Sequence, residues 1–124
     1  MEQIKSHIRN IPDFPKPGIQ FKDITPLVKH PNVLNSAINE LIKPFEGKDI
    51  DYVAGMEARG FIFGALAARA LNIGFIPLRK PGKLPYDVQS ISYDLEYGSA
   101  ELEVHVDAVN PGYHVILVDD LIAT

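Results

Sequence analysis

The period of the apolar positions changes several times along this chain, and each change marks an element. From Pro31 onward Val33, Leu34, Ala37, Ile38, Leu41, Ile42 and Phe45 recur at helical spacing, on one side of a helix that Pro31 opens and Gly47 ends. Ile4 and Ile8 mark a shorter amphipathic helix over residues 2–9. Between these two, Pro12, Pro15, Pro17 and Gly18 leave no room for a regular element, which predicts a loop. Tyr52-Val53-Ala54-Gly55-Met56 is an apolar run of strand length. Residues 61–71 follow as a helix apolar around much of its circumference, and Phe75-Ile76-Pro77-Leu78 is a second short run. Strand, helix and strand in that order predict an α/β fold with a parallel sheet covered by helices.

Alternation with a period of two then takes over. Ile91, Tyr93, Leu95 and Tyr97 alternate with polar neighbours, as do Leu102, Val104 and Val106. Joined through Gly98-Ser99, the two segments predict an antiparallel hairpin inserted between core strands. The last run, His114-Val115-Ile116-Leu117-Val118, is continuous, as in strands buried on both faces, and it leads directly into Asp119-Asp120. Lys80-Pro81-Gly82-Lys83-Leu84-Pro85 reads as a mobile loop.

Composition adds bounds. A chain of 124 residues, 46% hydrophobic and 23% charged, supports one modest core and so a single domain over residues 1–124. The net charge is −4 and the basic residues are scattered, so no nucleic-acid partner is expected; a small anionic ligand needs only a few placed cations. The absence of cysteine excludes disulfides, thiolate zinc sites and a cysteine nucleophile, and a cytoplasmic location is the default expectation. Residues 1–9 carry charges where a secretory signal needs an apolar centre. The stretch from Phe61 to Leu71 is interrupted by Arg69 and falls short of the roughly 20 residues of a membrane span, so no membrane partner is expected. His7, His30, His105 and His114 lack metal-ligand spacing.

In parallel sheets ligands bind beyond the carboxyl ends of the strands. Those ends deliver Glu57-Ala58-Arg59-Gly60, then Arg79-Lys80, then Asp119-Asp120-Leu121-Ile122-Ala123-Thr124. Adjacent carboxylates after buried aliphatics repel unless a donor or cation faces them, which suits a ribose diol with magnesium nearby; an acidic turn closing a strand is the alternative. Arg59 precedes a helix N-terminus, a setting that favours an anion.

The segment from Val115 to Thr124 is similar to the phosphoribosyl-pyrophosphate signature of type I phosphoribosyltransferases. Further segments resemble the adenine-specific branch of that family: Phe14-Pro15-Lys16-Pro17-Gly18-Ile19-Gln20-Phe21-Lys22-Asp23-Ile24-Thr25-Pro26, Glu57-Ala58-Arg59-Gly60-Phe61, Arg79 to Pro85, and Ser92-Tyr93-Asp94-Leu95-Glu96-Tyr97-Gly98. The resemblance runs from about Ile11 to the last residue. It implies a type I phosphoribosyltransferase-like sheet with a lid hairpin at about 81–106, an adenine-side segment over 1–30 and a partial core over 31–124.

The resemblance implies roles residue by residue. Phe21 would stack on adenine, with backbone at Gln20 and Lys22 reading the base edge; from the residues alone Phe21 reads rather as a core anchor for a loop, and the surrounding motif reverses that reading. Arg59, Arg79, Lys80 and Lys83 would bind pyrophosphate. Glu96 and Tyr97 would act at the lid, Glu96 managing the proton on adenine, where the residues alone also fit a packing tyrosine beside an exposed acid. Asp119 and Asp120 would hold the ribose, and Ala123 and Thr124 the 5′-phosphate. The implied reaction is adenine plus phosphoribosyl pyrophosphate giving AMP and pyrophosphate, with magnesium held mainly by the substrate diphosphate and no direct protein ligand. A homodimer is implied as well. The family pattern continues beyond Thr124 with more phosphate loop, a helix and at least one strand. The expectation is therefore a fold lacking its C-terminal part, inactive alone, whose last strand has one edge and one face without partners. A transferase for another base, or a metabolite-sensing regulator on the same fold, are the rival expectations.

Overall fold

Proline placement organises the first part of the chain. In the computed structural model, whose described residues are 2–95 and 98–119, helix α1 (Glu2–Ser6) leads into strand β1 (Arg9–Pro12), which pairs antiparallel with β2 (Gln20–Asp23). The expected loop is thus bounded by strands. Pro12 stands at the end of β1 and Pro15 and Pro17 lie in the connection, so the prolines need not interrupt the ladder. The connection closes on itself: the Gly18 amide donates to Asp13 Oδ1 at 2.9 Å and the Phe14 amide to the Ile19 carbonyl at 3.1 Å.

Helix α2 (Thr25–Lys29) follows, too short to leave a periodic signature. Asp23 Oδ1 organises its start, accepting from the Thr25 amide at 2.9 Å and the Thr25 hydroxyl at 2.6 Å. Helix α3 (Pro31–Ile42) carries Val33, Ile38 and Ile42 on its buried face, and His30 Nδ1 accepts from the Val33 amide at 3.3 Å as its cap. The α-helix ends before Gly47 and gives way to a 3₁₀ turn, Lys43–Phe45, because Pro44 has no N–H for the helical ladder.

Two compact units result, Met1–Pro44 and Phe45–Thr124. The second contains the expected strand, helix and strand: β3 (Tyr52–Met56), α4 (Arg59–Leu71) and β4 (Gly74–Leu78). Asn72 caps α4 in the left-handed conformation, φ 59°, a role to which asparagine is suited. The hairpin β5 (Val88–Leu95) and β6 (Gly98–His105) is inserted next, and β7 (Val115–Val118) completes a parallel sheet in the order β4-β3-β7.

Close approach fixes α4 on this sheet. A Cβ on Gly60 would stand 2.6 Å from the Val118 carbonyl oxygen, and one on Gly64 would stand 2.7 Å from the Phe75 ring. Only glycine lets the helix sit so near the strands. Val53, fully buried in β3, and Val118 belong to the core on this side. The opposite face is not buried, although the continuous run alone suggested that it is, and agrees with the expectation that one face of the last strand lacks partners: in β7 Val115 is 41% and Leu117 61% exposed. Its residues alternate because α4 packs only against the face bearing Val118, while β5–β6 meets the other face around an apolar cavity of about 240 Å³ lined by Met56, Leu78, Ile91 and Leu117.

Candidate active site

Parallel register brings the expected charged segments of the second unit to one sheet edge. Met56 pairs with Leu78 and Gly55 with Val118, so Glu57, Arg79 and Asp119 emerge from neighbouring strands at the same end. The Glu57 amide donates to the Leu78 carbonyl at 2.9 Å, extending the pairing one step beyond the strands. The Glu57–Ala58 peptide that follows is cis.

Glu57 is the organising acid. Its Oε1 accepts from Arg79 Nε at 3.0 Å and from the Lys80 amide at 3.0 Å, and its side chain is only 13% exposed. These contacts hold its carboxyl below the ordinary glutamate range, the Lys80 amide contributing most and the Arg79 hydrogen bond next. The Arg79 guanidinium carbon also lies 5.9 Å from the centre of the Phe61 ring, which meets Phe75 edge to face at 5.8 Å. Phe61 thus links the guanidinium to the aromatic packing beneath α4.

Arg59 is the first residue of α4 and is half-buried. Gly60 sets its neighbourhood, since the position of a Cβ there lies 3.4 Å from Asp119 Cα. The N-terminal turn of α4 therefore stands against the end of β7, where the backbone donors of a helix start and the Asp119 carboxylate can both serve a ligand that carries phosphate and hydroxyl groups. Lys80 and Lys83 lie exposed on the turn after β4, and the Lys83 amide donates to the Lys80 carbonyl at 3.3 Å.

In the first unit Gln20, Phe21 and Lys22 occupy β2. Phe21 pairs with Ile11 across the hairpin and meets Phe14 edge to face at 5.1 Å; it is half-buried while Phe14 is exposed. Gln20 Oε1 accepts from Asn10 Nδ2 at 3.1 Å. Glu96, Tyr97, Asp120, Ala123 and Thr124 lie outside the described residues.

Sequence reasoning gave no role to Glu57, which the structure sets against Arg79 and the Lys80 amide, or to Glu103, whose backbone bridges that of Arg79. Glu57 lay inside a recognised segment, and its signal was available: an acid one step past a strand, with a cation one step past the next strand in a parallel pair. Glu103 left no such signal, because it sits on an alternating strand like any solvent-facing acid.

No protein-family model matches the chain. It is 68% identical over its whole length to an adenine phosphoribosyltransferase of Methylococcus capsulatus and 64% identical to one of Nitrosococcus oceani, in each case spanning 72% of the relative. The chain belongs to the adenine phosphoribosyltransferase family. Solved members agree in fold. The enzyme of Thermoanaerobacter pseudethanolicus superposes with a TM-score of 0.94 at 55% identity, covering 99% of this chain and 72% of that one. The Saccharomyces cerevisiae enzyme, solved with adenine and an imino-altritol bisphosphate, gives 0.90 at 40% identity, covering 98% and 72%. The expected family, the type I phosphoribosyltransferase-like α/β class and the assignment to the pentosyl-transferring glycosyltransferases are therefore borne out.

Proposed function

We propose that the chain is the larger part of an enzyme that transfers the phosphoribosyl group from phosphoribosyl pyrophosphate to adenine, yielding AMP and pyrophosphate for purine salvage. The observation that carries this is the shared sheet edge, where parallel register sets Arg59, Arg79, Lys80 and Asp119 on adjoining segments. In the reaction the bond from the anomeric carbon to pyrophosphate breaks, a bond to an adenine nitrogen forms, and that nitrogen's proton is lost. Arg59, Arg79, Lys80 and Lys83 stabilise the charge gathering on the leaving pyrophosphate. Asp119 and Asp120 hold the ribose hydroxyls and Ala123 and Thr124 the 5′-phosphate. Phe21 stacks on adenine beside the backbone of Gln20 and Lys22, and Glu96 and Tyr97 serve proton transfer and closure.

Magnesium belongs with the oxygens of the substrate diphosphate. Glu57 has its charge engaged by Arg79 and the Lys80 amide, and no cluster of three acidic or histidine groups occurs among the described residues, so the ion's partners would be chiefly the diphosphate oxygens. When bound it supplies charge neutralisation at the leaving group. A homodimer and a cytoplasmic location complete the proposal; among the described residues no helix is long and apolar enough to cross a membrane.

The decisive assay follows AMP formation from adenine, phosphoribosyl pyrophosphate and magnesium by residues 1–124 and by the chain extended to the length of its relatives, with hypoxanthine and orotate as competitors. The expected result is adenine-selective AMP formation by the extended chain and none by residues 1–124. An extended, folded chain that makes no AMP, or that prefers another base, overturns the proposal.

A further inference from the structure

Glu103 joins three segments of the second unit that sequence leaves far apart. Its backbone exchanges hydrogen bonds with Arg79 in both directions, at 3.0 and 2.7 Å, as a bridge between the end of β4 and strand β6. Its carboxylate does two further things: Oε1 accepts from the Gly82 amide at 3.0 Å, and Oε2 accepts from the Ser90 hydroxyl on β5 at 3.2 Å. Gly82 has φ +85°, the conformation that turns the chain between Lys80 and Lys83. Both carboxylate oxygens of Glu103 are thus used, one on the turn and one on the hairpin.

We infer that Glu103 is a positioning residue for pyrophosphate: it fastens the Lys80–Lys83 turn and the Arg79 backbone to the β5–β6 hairpin, so that the cations of the turn are ordered before the ligand arrives. Glu57 holds the Arg79 side chain from the opposite side, through Nε. The two acids divide the work, Glu57 aiming the guanidinium and Glu103 shaping the turn. Ordering the turn beforehand removes an entropic cost of binding, so its loss is read in pyrophosphate affinity while the handling of adenine is unaffected. This inference rests on the proposed role of Arg79, Lys80 and Lys83 at the pyrophosphate.

The test titrates inorganic pyrophosphate with magnesium into the chain extended to the length of its relatives, comparing the parent with Glu103→Ala, Glu103→Gln and Lys83→Ala. Glu103→Ala is expected to weaken pyrophosphate about tenfold, the scale of one charge-assisted hydrogen bond. It should raise KM for phosphoribosyl pyrophosphate in parallel and leave KM for adenine unchanged. Glu103→Gln keeps an acceptor for the Gly82 amide and is expected to recover most of the loss, to within about threefold of the parent. Unchanged pyrophosphate affinity in Glu103→Ala, beside a weakened Lys83→Ala, overturns the inference while leaving the proposed site intact. Unchanged affinity in Lys83→Ala as well removes the pyrophosphate role of the turn and the inference with it. Should Glu103→Ala fail to fold, the near-isosteric Glu103→Met, which offers no oxygen acceptor, decides: faster hydrogen exchange over residues 80–84 with weaker pyrophosphate binding supports the inference, and parental values for both overturn it.

Discussion

Polar side chains reach over different distances in the two units. In residues 1–44 Asp23 engages Thr25 two positions on, His30 engages Val33 three positions on and Asp13 engages Gly18 five positions on, and the longer contacts, Asn10 to Gln20 and Arg9 to Asp23, stay within the one β1–β2 hairpin. In residues 45–124 Glu57 engages Arg79 across 22 positions, Glu103 engages Gly82 across 21, and Asp51 engages the His114 amide across 63. Short-range contacts build their geometry from neighbouring residues, so Phe21 is presented by a hairpin that nearby residues close. Long-range contacts take theirs from sheet register, so the cationic edge exists only when β3, β4 and β7 are aligned. Damage in the first unit should stay local, and damage at the β3–α4 connection should spread across the edge.

The largest effect expected from this contrast is at Gly60. Gly60→Ala places a Cβ 2.6 Å from the Val118 carbonyl oxygen, and backbone on one side or the other must move. A loss of about 2 kcal/mol is expected, the scale of overpacking a close contact, read as a lower urea midpoint. AMP formation by the extended chain should fall with it. A variant with parental stability would show that α4 does not need its close seat on β7, and the contrast between the units would lose its basis.

A smaller effect is expected in the first unit. Asp23→Ala removes the acceptor for the Thr25 amide and hydroxyl and the ion pair with Arg9 at 3.5 Å, which should cost about 1 kcal/mol, as for a lost helix cap. Hydrogen exchange should rise within residues 1–44 and stay at parental rates across β3, β4 and β7. Exchange that rises equally in both units would contradict the local character assigned to the first.

The smallest effect concerns pH. Because the folded state holds the Glu57 carboxyl below the ordinary value of 4.5, its contribution to stability is present above that value and is lost as pH falls through the lower folded-state value. Glu57→Gln keeps an acceptor for the Lys80 amide but cannot titrate, so its urea midpoint should fall less steeply with acid than the parent's over that range. The difference should be modest, since Arg79 is 35% exposed and water weakens the pair. Parallel acid profiles would mean that the Lys80 amide and Arg79 do not hold the Glu57 carboxylate in solution.

Most of the fold was legible because apolar periodicity records which side of an element is covered. α3, β3, α4, β4, the β5–β6 hairpin and β7 all lie where their patterns place them, and the parallel sheet follows from their order. Two features were not legible. Helix α2 has a single turn or so of chain, too little for a period, and β1–β2 is masked by prolines that sit at a strand end and in the connection. At the candidate site Arg59, Arg79, Lys80 and Asp119 could be named in advance because each follows a recognisable strand or opens a recognisable helix. Glu103 could not, because its importance comes from which amide and hydroxyl lie opposite it in space.

The sequence by itself therefore determined most of the elements, the family and the residue types delivered to the sheet edge, since these depend on local periodicity and contiguous segments. Only the tertiary structure decided that Glu57 spends its charge on Arg79 and the Lys80 amide, that Glu103 ties the Gly82 turn to the hairpin, and that the open face of β7 is the one bearing Val115 and Leu117. Each of those outcomes depends on strand register and on what packs against which face, and distances of a few ångströms between residues tens of positions apart are not encoded in any single stretch of chain.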